Sequence, residues 1–237
     1  MPQQVATAIE ATLYFGVVVT VGLYALNQVR KPSGWIGRAI LRIMDRSHSG
    51  VTDWGLNQIQ IGESDNILDI GCGGGRTIEK LAASAPKGIV HGVDHADESV
   101  DASSVRNRRL IQSGRVQITA ASVSHLPYPD NFFDLITAVE NQYYWPDPVN
   151  DMRETLRVLK PGGALVVIVE RHNKSGSAKT QSAVLRRLFA YHEYDMDAQQ
   201  SLFLRAGYRD VRTIEGPTNG WMCATGRKYS SASEDSR

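Results

Sequence analysis

Two carboxylates and a run of glycines mark where this chain could hold a nucleoside. Ile67-Leu-Asp-Ile-Gly-Cys-Gly-Gly-Gly75 reads as a buried strand ending in Asp69-Ile-Gly71, then a loop of Gly73, Gly74 and Gly75, then a helix from about Arg76. Glycine lets the backbone turn sharply and lets a ligand approach where a Cβ would otherwise stand. A strand would deliver that loop to the carboxyl edge of a sheet, where open α/β proteins bind ligands. A Gly-x-Gly pair alone is a weak signal. A dinucleotide loop requires a third glycine at position 76, and Arg76 stands there, which counts against a bound pyrophosphate. Asp94 ends the second apolar run, 23 residues beyond Gly71. Its carboxylate can accept hydrogen bonds from both hydroxyls of a ribose, or it can serve only the turn at Ala96-Asp97. His95 follows and is placed to flank a base. Cys72, a small side chain inside the loop, reads as packing rather than as a nucleophile.

These residues need strands to carry them, and the pattern after Asp65 supplies strands. Short apolar runs over 66–70, 89–94, 116–120, 133–140, 164–170, 211–215 and 221–225 alternate with helical stretches over 76–85, 99–113, 148–158, 180–191 and 198–206. That alternation implies βαβ units and a mostly parallel sheet with helices on both faces. The last two strands are joined only by Gly216-Pro-Thr-Asn-Gly220, too short for a crossover helix, so they should form an antiparallel hairpin at the sheet edge. An ordinary dinucleotide sheet would complete a second βαβ half instead.

Size and composition bound what surrounds the sheet. The 237 residues fit one ordinary domain with an N-terminal extension, and 42% hydrophobic residues suffice for a buried core. A net charge of +1 gives no reason to expect nucleic acid. Two cysteines, Cys72 and Cys223, provide neither a disulfide framework nor a zinc-ligand spacing, so a reducing compartment and no metal are expected. Residues 11–29 carry no charge and precede Arg30 and Lys31. The length is marginal for a membrane span, which needs about 20 residues. The flanking cations would keep the main domain cytosolic, and a buried cap or partner-contact helix reads the same. Trp35–Arg46 sets apolar residues opposite arginines, as in a helix lying on an anionic membrane or in one covering the domain. The expected division is a hydrophobic helix over 1–31, a helical segment over 32–64, the main domain over 65–228 and a disordered polar tail over 229–237.

Four motifs occur in a fixed order: the glycine loop, Val93-Asp94, Leu126-Pro-Tyr-Pro-Asp-Asn-Phe-Phe-Asp-Leu-Ile136 and Arg157-Val-Leu-Lys-Pro-Gly-Gly163. Over roughly 65–228 they resemble class I S-adenosylmethionine-dependent methyltransferases, most of all the small-molecule branch related to the quinone-biosynthesis C-methyltransferases. The resemblance implies a Rossmann-like sheet of seven strands with a reversed last strand, and S-adenosylmethionine as cofactor. It implies that Asp69 orients the cofactor's amino acid portion, that Gly71 and Gly73 line it, and that Asp94 holds its ribose. The family has an acidic residue on the adenine side, where this chain has Ala121-Ser122-Val123. Ser122 can still accept a hydrogen bond, and Ser122 and Val123 are the adenine-side candidates.

The same resemblance puts Glu140 at the cleft where cofactor and acceptor meet. It makes Asn141-Gln-Tyr-Tyr-Trp-Pro-Asp147 a loop bordering both. Tyr143, Tyr144 and Trp145 could surround a sulfonium or stack on an acceptor, or simply pack above the sheet. The N-terminal helices would form a lid, with His48, Asp53 and Trp54 closing the site. His48 is the first candidate for a general base, a helix-end histidine being the plain alternative. The catalytic candidates are thus His48, Glu140, Tyr143 and Tyr144. Arg171, His172 and Lys174 suit an acidic group on the acceptor, or a solvated loop. The implied activity is methyl transfer to a small or lipid-like molecule. A cofactor-binding scaffold without turnover and a nicotinamide dehydrogenase are the rivals, the latter disfavoured by Arg76 and the terminal hairpin.

Overall fold

The computed structural model describes residues 28, 30–170, 192, 194–218 and 220–229. Seven strands form one sheet: β1 (Asn66–Ile70), β2 (Ile89–Asp94), β3 (Val116–Ala120), β4 (Phe133–Val139), β5 (Leu159–Val169), β6 (Arg209–Glu215) and β7 (Met222–Arg227). Their order is β3-β2-β1-β4-β5-β7-β6, with β7 antiparallel to both of its neighbours and every other pairing parallel. The hairpin expected from the short 216–220 link is present, with β7 inside the sheet and β6 on its edge.

Seven helices are described: α1 (Gly34–Ser47), α2 (Ser49–Leu56), α3 (Arg76–Ser84), α4 (Asp97–Arg106), α5 (Arg108–Gln112), α6 (Pro148–Val158) and α7 (Met196–Ala206). The central strands are apolar on both sides because successive side chains alternate between faces and both faces are covered. Ile67, Leu135, Val166 and Ile168 belong to one core layer with Ile78 and Leu81 of α3. Leu68, Ile70, Ile136 and Val167 belong to the other, with Met152 of α6 and Phe203 of α7. The chain order reverses beside β1, between β1 and β4, so a crevice opens at their carboxyl ends, the usual ligand position in such sheets.

The expected helix over 99–113 is two helices. Asn107 turns its amide back to the carbonyls of Gly75 and Ser103, both at 3.0 Å, and splits the run. β5 begins at Leu159 rather than Ala164, with a register shift between Phe133 and Leu135 on its neighbour. Two of the four sequence motifs prove to be structural ties. Arg157 donates to the carbonyls of Leu126 and Tyr128 and pairs with Glu154 and Asp130, all within 3.1 Å. Lys160 holds Asp134 through both carboxylate oxygens at 2.8 Å.

The expected helices over 11–29 and 180–191, the tail beyond Tyr229, and Arg171, His172 and Lys174 lie outside the described residues, Gln28 excepted. Among the described residues no helix is long and apolar enough to cross a membrane. Gln28 is buried and clasps Ser33, donating to its hydroxyl and accepting from its amide at 2.8 Å, ahead of α1.

Candidate active site

A cavity of about 430 Å³ lies over the carboxyl ends of β1, β2 and β4, a size suited to a cofactor-scale ligand. Gly71, Gly73, Asp94, His95, Ser122 and Val123 all line it. So do Glu140, Tyr144 and His48. The strand ends bring these positions together from across the chain.

The glycine loop is fixed from two sides. The Cys72 amide donates to the Val93 carbonyl at 3.0 Å, and the Gly73 amide donates to Asp94 Oδ2 at 3.1 Å. Asp94 Oδ1 accepts from the Ala96 amide at 2.9 Å. An ionised carboxylate has about four acceptor positions, so one on each oxygen is taken and the rest remain for ligand hydroxyls. Gly75 has φ +80 and caps α3 in the left-handed region. A Cβ there would sit 2.5 Å from Ser103 Oγ and from Asn107 Nδ2. The close approach that a dinucleotide loop makes at its third glycine is therefore made here one residue earlier, against α4. Cys72 is buried, and burial holds its thiol well above the usual range, so it stays protonated and packs as expected.

Asp69 is not on the cavity wall. It is 2% exposed beneath the loop and accepts a 2.6 Å hydrogen bond from Thr137 Oγ1. Burial pushes its pKa up to about 7; the Thr137 bond works against the shift and the Asp94 charge adds to it. On the adenine side, Ser122 Oγ accepts from the Ser124 amide at 3.2 Å, closing a turn, while the Val123 side chain joins the core. The His95 side chain is about half exposed, its Nδ1 3.6 Å from Asp94 Oδ1.

The acceptor end is built around Glu140. This residue is buried and has φ +55, a left-handed conformation that costs a non-glycine residue about 1–3 kcal/mol and is concentrated at functional sites. Its Oε2 accepts from the Tyr143 hydroxyl at 3.0 Å, and its Oε1 accepts from the Glu170 amide. His48 Nε2 lies 4.0 Å from Glu140 Oε2 and 3.9 Å from Glu170 Oε2. The ligand atoms of His48, Glu140 and Glu170 all fall within 4.8 Å of one another. Tyr143 is turned into the core beside Tyr144, whereas Tyr144 and Trp145 reach the cavity.

His48 owes its place to the junction of α1 and α2, where it ends one helix and starts the next. α2 can lie close to β5 because residue 55 is glycine: a Cβ there would be 2.6 Å from Ile168. The expectation that Asp53 and Trp54 close the site is corrected. Asp53 pairs outward with Lys80, and Trp54 packs on Trp221 with ring centroids 5.9 Å apart. From this segment His48 and Thr52 line the cavity.

Two residues near the site, Asp45 and Glu170, were given no role by the sequence reading, and Asn141 was read only as part of its loop. Asn141 Nδ2 donates to the carbonyls of Ile70 at 2.6 Å and Val139 at 3.1 Å, and its Oδ1 accepts from Trp145 Nε1 at 3.0 Å. It thereby joins the ends of β1 and β4 to the aromatic loop. Asp45 of α1 pairs with Arg106 at 2.8 Å, and Arg106 Nε also donates to the Gly74 carbonyl at 2.8 Å. Glu170 completes the carboxylate pair around His48. Asn141 and Glu170 carried a local signal, both standing at the end of a strand read from the sequence, and Asp45 carried none.

Residues 68–167 match a family model described as a methyltransferase domain. The uncharacterized methyltransferase YdaC of Bacillus subtilis is 24% identical over 190 residues, 78% of this chain and 96% of that one. The ubiquinone/menaquinone biosynthesis C-methyltransferase UbiE of Geotalea daltonii is 28% identical over 114 residues, 48% of each protein. This chain thus spans about half the length of that relative. A solved S-adenosylmethionine-dependent methyltransferase from Aquifex aeolicus has the same fold, with a TM-score of 0.63 and 20% identity over 80% of this chain and 97% of that one. The family match over residues 68–167, these relatives and the single reversed strand of the sheet support a class I S-adenosylmethionine-dependent methyltransferase.

Proposed function

We propose that the chain methylates a small or lipid-like acceptor bearing a removable proton, with Asp94 holding the ribose of S-adenosylmethionine and His48 taking that proton. The observation that carries this reading is one cavity lined by the glycine loop and Asp94 at one end and by His48 and Glu140 at the other. Gly71 and Gly73 would approach the cofactor through backbone, with Ser122, the Val123 backbone and His95 around its base. Asp69, lying under the loop, would act on the amino acid portion by shaping the loop from below.

When bound, the cofactor supplies a sulfonium methyl for in-line displacement by the acceptor. Most of the rate in such a step comes from holding the reactants close and aligned, which here falls to Tyr144, Trp145 and Asn141. Aromatic faces at this position also suit a positive sulfur. His48 Nε2 would receive the acceptor proton, and the carboxylates of Glu140 and Glu170 would stabilise the imidazolium that forms. Tyr143, hydrogen-bonded to Glu140, would hold that carboxylate in place. α1 and α2 would act as the lid.

Labelled-methyl transfer against fractionated small molecules and lipids tests the proposal. Incorporation into one fraction, lost in Asp94→Ala, is the expected result. Tight cofactor binding without transfer to any fraction would favour a scaffold instead. Preferential binding of NAD over S-adenosylmethionine would sink the methyl-transfer reading altogether.

A further inference from the structure

The helix that walls the cavity has a second face that methyl transfer leaves unused. α1 buries Gly37 and Leu41, and it turns Leu41, Met44 and Asp45 toward the cavity. On its other side Trp35 is 78% exposed and Ile43 66% exposed. Residues three and four apart share a helix face, so Trp35, Arg38, Arg42 and Arg46 form one outer stripe with Ile43 on its flank. All three arginines are exposed. Arg38 is paired with Glu98 at 2.7 Å, whereas among the described residues Arg42 and Arg46 have no ion-pair partner. The one carboxylate of the helix, Asp45, faces inward to Arg106.

An exposed indole and two uncompensated arginines on one stripe, with an exposed isoleucine on its flank, match the boundary of an anionic bilayer. Tryptophan settles at headgroup level, arginine is drawn to anionic lipid, and an aliphatic side chain gains by entering the acyl boundary. A protein partner could also use an indole beside arginines, and it is the reading left if vesicles fail to bind. Arg30, Lys31 and Pro32 line the cavity and run directly into α1. In sequence they follow the uncharged residues 11–29.

We infer that the outer face of α1 docks on an anionic lipid surface and brings the rim of the cavity to the bilayer, so that the acceptor enters from the lipid phase. The last clause rests on the methyl-transfer proposal; the docking itself does not. The test is sedimentation of the full chain with phosphatidylcholine vesicles, with and without phosphatidylserine. Binding should require phosphatidylserine and disappear in molar salt. R42A/R46A should weaken it by about 25-fold, about fivefold per arginine, and Trp35→Ala should weaken it further. R108A/R109A, exposed on α5, should leave it unchanged.

Absence of vesicle binding, equal binding to both vesicle types, or an R42A/R46A variant that sediments like the parent would overturn the inference. Equal losses in the two arginine pairs would do the same. Calorimetry with S-adenosylmethionine in vesicle-free buffer keeps the two ideas separate. Cofactor binding without vesicle binding removes the docking face alone, and vesicle binding without cofactor binding removes the catalytic reading alone.

Discussion

The Gly73 amide donates to Asp94 Oδ2 at 3.1 Å, so one carboxylate both shapes the glycine loop and faces the cavity. With its other oxygen on the Ala96 amide, the group cannot rotate away, and its remaining lone pairs are aimed before a ligand arrives. Hydrogen bonds to a charged group are each worth about 1.5–3 kcal/mol. Asp94→Ala should therefore lower affinity for S-adenosylmethionine by about 10- to 100-fold, measured by calorimetry. Unchanged affinity would remove Asp94 from the ribose site and leave it only the loop.

Asp69 gives a pH dependence whose sign is fixed. Its pKa rises from 3.8 in the unfolded chain to about 7 in the folded one. Between those values the folded state binds more protons, so stability falls as pH rises. Below the window both states are protonated, and above it both are ionised, so the dependence flattens at each end. The cost above pH 7 is of order a few kcal/mol. Asp69→Asn keeps the shape and the Thr137 contact but removes the charge. Its melting temperature relative to the parent should climb from pH 4 to pH 7 and then level. Parallel curves would mean that the buried carboxyl ionises without penalty.

His48 carries the proton-transfer role in the proposed chemistry, and general-base catalysis contributes about 10²- to 10⁴-fold. Once the acceptor is identified, His48→Gln should lower kcat by that order without changing cofactor affinity. A matching loss of cofactor affinity would make His48 a positioning residue. An unchanged kcat would mean that alignment alone drives transfer.

What the sequence revealed depended on whether a residue's role is local. β1, β2, β3 and β4 could be read because they are short apolar runs, and the glycine loop could be read because its backbone needs are written in residue type. β6 was harder to bound: its residues are largely exposed, as an edge strand allows, and it starts at Arg209 rather than Val211. The split at Asn107 depends on the carbonyl of Gly75, 32 positions away. Asn141 reaches Ile70 over 71 positions, and Asp45 reaches Arg106 over 61. No spacing rule connects such pairs. Asp53 and Trp54 failed as lid residues for the same reason: which face of α2 meets the sheet is decided by Gly55 against Ile168, a contact absent from any linear pattern.

The link from Asp45 through Arg106 to the Gly74 carbonyl should decide how firmly α1 stays closed. Burial raises the Asp45 pKa and Arg106 opposes the rise, so truncating the arginine leaves a half-buried carboxyl and a loop carbonyl without their donor. Such losses cost about 1–3 kcal/mol. Arg106→Ala should accelerate amide exchange in α1 by about 5- to 150-fold relative to β4, read by mass spectrometry. Uniform acceleration across the sheet would instead indicate global destabilisation.

Gly73 and Gly75 separate binding from folding within the same loop. Both have positive φ, +50 and +80, so alanine at either costs about 1–2 kcal/mol from the backbone alone. Their surroundings differ. At Gly73 a Cβ would meet nothing nearer than Leu41 Cδ2 at 3.8 Å, and it would stand on the cavity wall. At Gly75 it would lie 2.5 Å from Ser103 Oγ and 2.8 Å from Ser103 Cα, forcing α4 outward. Overpacking of that kind adds about 1–3 kcal/mol. Gly75→Ala should therefore show the larger drop in denaturation midpoint. Gly73→Ala should stay folded but bind S-adenosylmethionine weakly, because the added methyl occupies the path of the ligand to the backbone. The reverse ranking, with Gly73→Ala the less stable and still binding normally, would place the cofactor elsewhere in the cavity.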